Sequence, residues 1–494
     1  MARFESVLDS VGGTPLIRLT RAVAGLRPRI YVKAEWQNPG GGVKDRAALW
    51  MLRQAEADGS LRPGGTVVEA TSGNTGIGLA LIAAHLGYRA VIFAGSRISA
   101  EKQAQITAYG AELRLVDAFV PRDHPDSLRS HAQRYAEQTP GAWLAGQYDN
   151  PANPASHAAT TGPEIWDDTD GTVTHLVACV GTGGTISGAG RYLKTAGAGR
   201  VRVIGADPIT SSYSGGDGSL KYIEGAGHFV HPDTVHDLWP RALDGGVIDE
   251  YVGIGDRLAI DTVRQLARTE GILAGGSSGV ALAAALQVAG RLDENHTVVV
   301  LLPDSGRSYL STYFNDRWLA VNGFTDPEPG TPTVGEVAGP VTAVEEGFSR
   351  AELPNVNSVD DVLLLAHRRP ARTLAPHPSD IIGWTTARRL RDPAWSVAAA
   401  GPVGVALGAG LAVTDPAVQA WALCSSTRDD VALVLTDGRV TGALTRDTLT
   451  RATSQVVAQP AAQPGSRPGV RATASAPARP AAAASAHRPS RTKV

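Results

Sequence analysis

Lysine 44 lies in NPGGGVKDRAALW, just after three glycines and Val43 and directly before residues with helical apolar spacing. An amine in that place could be a surface charge, a phosphate ligand or a nucleophile. A Walker-type phosphate loop would need Gly-Lys followed by Ser or Thr, but Val43 precedes this lysine and Asp45 follows it. Lysines are mostly exposed, so a helix-start surface residue is the plainest alternative to a nucleophile. Two further glycine-rich stretches bear on the choice. EATSGNTGIG, Glu69 to Gly78, joins a strand-like run to a helix-like one. Its small hydroxyl and amide side chains, with free N–H groups at a helix start, would hold a carboxylate. The alternative there is a simple strand–turn–helix junction. VGTGGTISG, Val180 to Gly188, has the same setting. Its glycines let the backbone approach a phosphate, and Thr182 and Thr185 can donate hydroxyl bonds. Its spacing does not match the dinucleotide pattern G-x-G-x-x-G.

An amine, a carboxylate cradle and a phosphate cradle together suggest pyridoxal phosphate. That cofactor needs a phosphate anchor, a lysine that carries it covalently and an amino-acid carboxylate site beside that bond. A lysine in this role must be partly desolvated, which lowers its pKa and frees the amine.

Such loops need strands and helices to hold them. From about residue 10 to 320, strand-like runs such as GTVVEAT, YRAVIFAG, THLVACVGTG, VRVIGAD and HTVVVLLPD alternate with helix-like segments such as DRAALWMLRQAEADG and TGIGLALIAAHLG. That alternation predicts an α/β architecture with largely parallel sheets. Pro and Gly thicken at FTDPEPGTPTVGE, which reads as a linker. A second, more weakly patterned region follows and ends in two strand-like runs around the turn Asp437-Gly438. The last stretch is rich in Ala, Pro, Ser and Arg and reads as a disordered basic tail. The expected organisation is residues 1–325, 326–332 as linker, 333–455, and 456–494 as tail.

Composition narrows the function classes. The chain has 494 residues and a formal net charge of -2, so it carries no overall footprint for nucleic acid or anionic membrane. Two cysteines give neither a disulfide framework nor a zinc motif, which suits the cytoplasm. No apolar run is long enough to span a bilayer, and MARFESVLDS lacks the regions of a signal peptide. His228, His231 and His236 match no standard metal spacing, so no metal is expected.

The motifs resemble those of the fold type II pyridoxal phosphate enzymes, and within them the cystathionine β-synthase and cysteine synthase family. The likeness runs from GGTPLIRL at Gly12 to the end of LPDSGRSYLSTYFNDRWLAVNGF at Phe324, about two thirds of the chain. PDSGRSYLSTYFNDRWL and the C-terminal region tilt it toward the cystathionine β-synthase side, and TGPEIW and GTISGAGRYLK toward actinobacterial members. The resemblance implies two α/β subdomains with the cofactor between them, plus a small α+β C-terminal domain. It implies that Lys44 carries the cofactor and that Asn74 bonds its 3′ oxygen. Gly181, Thr182, Gly183, Gly184 and Thr185 match the phosphate loop, and Ser277, in GGSSG, the serine facing the pyridine nitrogen. A serine there does not hold that nitrogen protonated, which favours β-elimination over transamination. Thr71, Ser72 and Thr75 match the substrate-carboxylate loop, and Gln147 its partner. Glu224, Gly225 and Gly227, in IEGAGH, match a loop that closes over the substrate. Two positions depart from the pattern. Gly42 replaces the usual serine, which would loosen its loop, and His228 stands where some members have tyrosine. No haem-binding extension precedes Phe4, so no haem is expected.

SDIIGWTTARRL and GRVTGALTRDTL resemble the ends of paired CBS (Bateman) repeats. The aspartate such repeats place three residues after a Ser or Thr is absent: Arg389 follows Thr386 at that distance, and Thr448 follows Thr445. A degenerate module serving oligomer contacts is therefore expected. The resemblance implies β-replacement on L-serine or an activated serine, first of all serine and homocysteine to cystathionine, with Lys44 taking the α-proton. Alternatives are a cysteine synthase using O-acetylserine or O-phosphoserine with sulfide, a specialised-pathway enzyme, and a non-catalytic cofactor-binding regulatory protein. The partners implied are a small-molecule amino-acid donor, a thiol or other nucleophile, and further copies of the chain in a homodimer or larger assembly.

Overall fold

The computed structural model describes residues 3–117, 120–327, 332–348, 362–368, 374–392, 395–424 and 431–458. Residues 328–331 of the expected linker and the basic tail from 459 onward lie outside them. Ten strands build the larger part: β1 (Leu16–Arg18), β2 (Arg29–Ala34), β3 (Thr66–Thr71), β4 (Arg89–Gly95), β5 (Glu112–Val116), β6 (Ala142–Leu144), β7 (His175–Cys179), β8 (Arg202–Pro208), β9 (Glu250–Ile254) and β10 (Thr297–Leu302). They form two sheets. One has the order β5-β4-β3-β6 and is wholly parallel. The other has the order β1-β2-β10-β7-β8-β9, with only β1 antiparallel.

All six residues of β10, TVVVLL, are buried. A strand covered on both faces needs no polar alternation, which is why it reads as one unbroken apolar run. The helices Asn74–Leu86 and Gly276–Ala289 are also buried nearly all round. Helices of that kind belong inside a core, so their first turns are held firmly. The first follows β3 after two residues, at the strand's C-terminal end. Open α/β sheets bind ligands at that end.

Among the described residues seven further strands follow: β11 (Gly339–Pro340), β12 (Thr342–Glu345), β13 (Val362–Ala366), β14 (Ile381–Thr386), β15 (Val403–Gly408), β16 (Val431–Thr436) and β17 (Arg439–Thr445). They make the sheets β12-β13-β14 and β11-β17-β16-β15. In each, one strand runs parallel to a central strand that then pairs antiparallel with the next: β12, β13 and β14 in one, β15, β16 and β17 in the other. Asp437 and Gly438 turn between β16 and β17 with φ of 50° and 75°, as a two-residue hairpin of this twist requires. The turn meets the larger part. Arg257 pairs with Asp437 at 3.0 Å, and Arg439 Nη2 donates to the Leu220 carbonyl at 2.6 Å. Among the described residues no helix is long and apolar enough to cross a membrane.

Candidate active site

Lys44 is the first residue of the helix Lys44–Ala57. The glycines before it have distinct jobs. Gly41 adopts φ +85°, which side chains resist. A Cβ on Gly40 would lie 2.6 Å from Asp45 Oδ1, and the Gly40 N–H donates to Asp45 Oδ2 at 2.6 Å. Gly42 is held from both sides, because Val43 N donates to Pro303 O at 2.8 Å and Ser305 N to Gly41 O at 3.3 Å. The segment is therefore tied down despite the missing serine.

The next residues brace this helix. Arg46 and Glu35 are buried and paired, Nε to Oε2 at 2.8 Å and Nη2 to Oε1 at 2.9 Å. Arg46 also bonds both oxygens of Glu164, at 2.6 and 2.7 Å, and fully buried Lys33 reaches Glu164 at 2.9 Å. Burial would raise the Glu164 pKa, but Arg46 and then Lys33 outweigh it and bring it to about 2. Lys44 itself is half-buried. Burial lowers its pKa, partly opposed by Asp304, Cys179 and Glu35. The neutral amine is thereby made more accessible.

Asp304 joins three parts of the site. It is 2% exposed, its Oδ2 accepts from Asn74 Nδ2 at 2.7 Å and from the Tyr309 hydroxyl at 2.5 Å, and its Oδ1 has no partner. Its backbone carbonyl accepts from Gly275 N at 3.1 Å, just before the helix that begins Gly276-Ser277. Asn74 and the turn before Ser277 are thus both bonded to Asp304, whose charge also acts on the Lys44 amine.

The carboxylate loop is closed by its own side chains. Thr71 Oγ1 accepts from Gly73 N at 3.0 Å, and Thr75 Oγ1 donates to Gln147 Oε1 at 2.5 Å. Gln147 is seated on buried Glu69 through its backbone N–H at 3.3 Å and its amide at 3.4 Å. Burial pushes Glu69 up to about 7. Ser72 is exposed, and a Cβ on Gly225 would come 3.9 Å from its hydroxyl oxygen. The IEGAGH loop and the carboxylate loop therefore face each other at close range.

The glycines of the second loop give the backbone room. A Cβ on Gly184 would lie 2.1 Å from Asn153 Oδ1, and one on Gly181 2.4 Å from the Gly225 carbonyl. Gly183 has φ +84° and meets Leu243 at 2.4 Å in the same sense. The helix starting at Gly184 leaves its first N–H groups without intrahelical acceptors. Thr182 Oγ1 accepts from Asn153 at 3.1 Å, which leaves its own hydrogen free to donate. Thr185 Oγ1 bonds His157 Nε2 at 3.2 Å. Burial, with Arg46 and Lys44 nearby, holds His157 well below its ordinary pKa and so neutral. Gly227 N donates to Val180 O at 2.6 Å, tying the IEGAGH loop to this cradle. Glu224 meets buried Lys102 at 2.7 Å, and its backbone N–H donates to the Tyr313 hydroxyl at 3.1 Å. His228 turns instead to Asp237, at 2.6 Å.

The residues fit pyridoxal phosphate. Open N–H groups and hydroxyls suit a phosphate dianion, and Asp304, which holds the Asn74 amide and acts electrostatically on the Lys44 amine, keeps one buried carboxylate oxygen without a partner. Asp304, Tyr309, Lys102, Glu69, Asn153 and His157 all belong to this arrangement, and none was singled out in the sequence. Gly184→Ala is expected to weaken cofactor binding about 5- to 150-fold, since overpacking costs about 1–3 kcal/mol. Visible absorption at graded cofactor concentrations reads this. Gly95→Ala, where an added Cβ meets nothing within 4 Å, should leave the affinity unchanged.

Comparison with known proteins bears on the family of the chain. Residues 7–304 match the family described as "Pyridoxal-phosphate dependent enzyme". A cystathionine β-synthase of Apis mellifera is 39% identical over 328 residues, covering 65% of this chain and 63% of that protein. The chain thus spans less than two thirds of that relative's length. Cysteine synthase 1 of Emericella nidulans is 39% identical over 334 residues, covering 66% of this chain and 88% of that one. Among solved structures, an O-ureido-L-serine synthase is 40% identical with a TM-score of 0.58, covering 65% of this chain and all (100%) of that one.

Proposed function

This chain belongs to the family of pyridoxal-phosphate dependent enzymes, and from that premise we propose that it condenses L-serine with homocysteine to give cystathionine. Replacement of the β-substituent by sulfide on O-acetylserine or O-phosphoserine is the alternative, and the similarity to an O-ureido-L-serine synthase extends the alternatives to nucleophiles that are not thiols. The observation that carries β-replacement is the bonding of Asn74 and the turn before Ser277 to Asp304, whose charge also acts on the Lys44 amine, beside a carboxylate loop and a glycine cradle.

When bound, the cofactor supplies an electron sink for charge developing at the donor's α-carbon. Gly181, Thr182, Gly183, Gly184 and Thr185 would hold its phosphate through backbone N–H and hydroxyl groups, Asn74 would bond its 3′ oxygen, and Ser277 would face its ring nitrogen. Thr71, Ser72, Thr75 and Gln147 bind the donor's carboxylate, with Glu69 and Thr75 fixing the Gln147 amide. Lys44 would hold the cofactor, and its amine is the group this chain offers to take the donor's α-proton. Its burial-lowered pKa suits it to that task. Glu224, Gly225, Gly227 and His228 contribute the loop over the donor, with Lys102 and Tyr313 holding Glu224 in place.

In this reading the catalytic part is residues 1–325, and residues 333–455 form a degenerate Bateman module that helps assemble a homodimer or larger oligomer in the cytoplasm. The matching strand order of its two sheets supports a pair of repeats. Product analysis by mass spectrometry tests the substrate assignment. Serine with homocysteine should give cystathionine as the fastest reaction, and cysteine formed fastest from an activated serine and sulfide would replace that assignment.

A further inference from the structure

We propose that His228, oriented by Asp237, is the base that takes the proton of the incoming nucleophile. This rests on the β-replacement reading above. His228 lies one residue beyond Gly227, whose N–H bonds the residue just before the glycine cradle. Its own backbone is fixed at both ends: its N–H donates to Ser211 Oγ at 2.8 Å, and its carbonyl accepts from Ser212 N at 3.2 Å. The ring stacks on Tyr213 at 5.0 Å between centroids, with planes 19° apart. Tyr213 in turn donates its hydroxyl to the Gly181 carbonyl at 3.0 Å. The imidazole is therefore coupled to the cradle by a rigid ring and a short loop.

The partner fixes the tautomer. His228 Nε2 lies 2.6 Å from Asp237 Oδ1, and Asp237 Oδ2 accepts from Ser212 Oγ at 3.1 Å and Trp239 Nε1 at 3.2 Å. A carboxylate bonded this way only accepts, so Nε2 carries the hydrogen and Nδ1 is the atom left to take a proton. The pair is shielded without being sealed, at 11% and 30% side-chain exposure. Of the titratable groups, Asp237 bonds the ring and Tyr213 stacks on it. Burial raises the Tyr213 pKa, so Tyr213 stays neutral and the carboxylate sets the local charge.

A thiol with pKa near 8.5 is mostly protonated at neutral pH and is a poor nucleophile in that form. In the proposed step the S–H bond breaks, the proton passes to His228 Nδ1, and the sulfur electron pair forms the bond to the donor's β-carbon. The β-substituent leaves with the electrons of its old bond, and the imidazolium gives its proton to that group or to water. Lys44 takes the α-proton as the β-substituent departs and returns it to the α-carbon as the sulfur adds to the β-carbon.

The test uses cofactor-loaded full-length protein with serine and homocysteine across about pH 5.5 to 9. H228N is expected to lose about 100-fold in kcat/KM for homocysteine, the lower end of what a general base supplies. It should also lose the acid limb of that profile, while the rate of the serine-induced absorption change moves far less. D237N should displace the acid limb, and D237E should restore it, which a purely structural contact would not do. If H228N fails to fold, the D237N and D237E pair decides. An acid limb and kcat/KM for homocysteine left intact in H228N, or in D237N when only that variant folds, would overturn the proposal. Wild-type protein that responds to no donor would overturn the β-replacement reading, and this step with it.

Discussion

Lys44→Ala is expected to abolish turnover, by about 10⁴-fold or more, while leaving the fold intact. The size follows from two losses at once. The variant has no group to carry the cofactor and no base for the α-proton, and a general base alone supplies about 10²–10⁴-fold. The fold should survive because Lys44 opens a helix, and alanine is the best helix former. Burial already disfavours the Lys44 charge, so removing the amine relieves a desolvation cost. Lys44→Arg should not rescue activity, because a guanidinium stays protonated and cannot take the two roles. Steady-state assays beside far-ultraviolet circular dichroism check both halves. Activity within about tenfold of wild type would remove Lys44 from the mechanism.

Arg46→Met is expected to destabilise the protein by about 3–5 kcal/mol, the range for removing one partner of a buried ion pair. Arg46 is 1% exposed and Glu35 is fully buried, so Glu35 would be left without its cation, and Glu164 would keep Lys33 at 2.9 Å and the Gly13 N–H at 3.0 Å. The network sits two residues after Lys44, so the helix start should also lose its fixed position. Arg46→Lys should recover only part of the loss, because one ammonium cannot make the paired bonds to two carboxylates. The measurement is the urea midpoint of the unfolding transition, which should fall at unchanged slope. A loss below about 1 kcal/mol, the scale of an exposed pair, would show that the network does not hold this helix.

How far the sequence reached depends on the range of the interaction. β3, β4, β7, β8 and β10 were legible because strands covered on both faces become runs of apolar and β-branched residues. β1 and β6, three residues each and only partly buried, leave too short a pattern to read. The glycine loops were legible because backbone room and positive φ are local demands that glycine alone meets. Asp304 was not, since its meaning comes from an amide 230 positions earlier. Arg46 and Glu164 are 118 apart, and spacing carries no signal for such a pair. Lys102 sits in AEKQAQITA, which looks like a solvated helix face. It is nonetheless 1% exposed, with its amine 4.5 Å from the Tyr309 ring centre and 2.7 Å from Glu224. The Gly42 departure reads as a loosened loop until the backbone bonds from Val43 and Ser305 are seen.

The most direct test of β-replacement is the visible spectrum of the cofactor-loaded protein, titrated in turn with L-serine, O-acetylserine and O-phosphoserine, and then with homocysteine or sulfide. The account predicts that a donor shifts the spectrum and that the nucleophile returns it to its starting form. A bound cofactor whose spectrum responds to none of the three donors would contradict it.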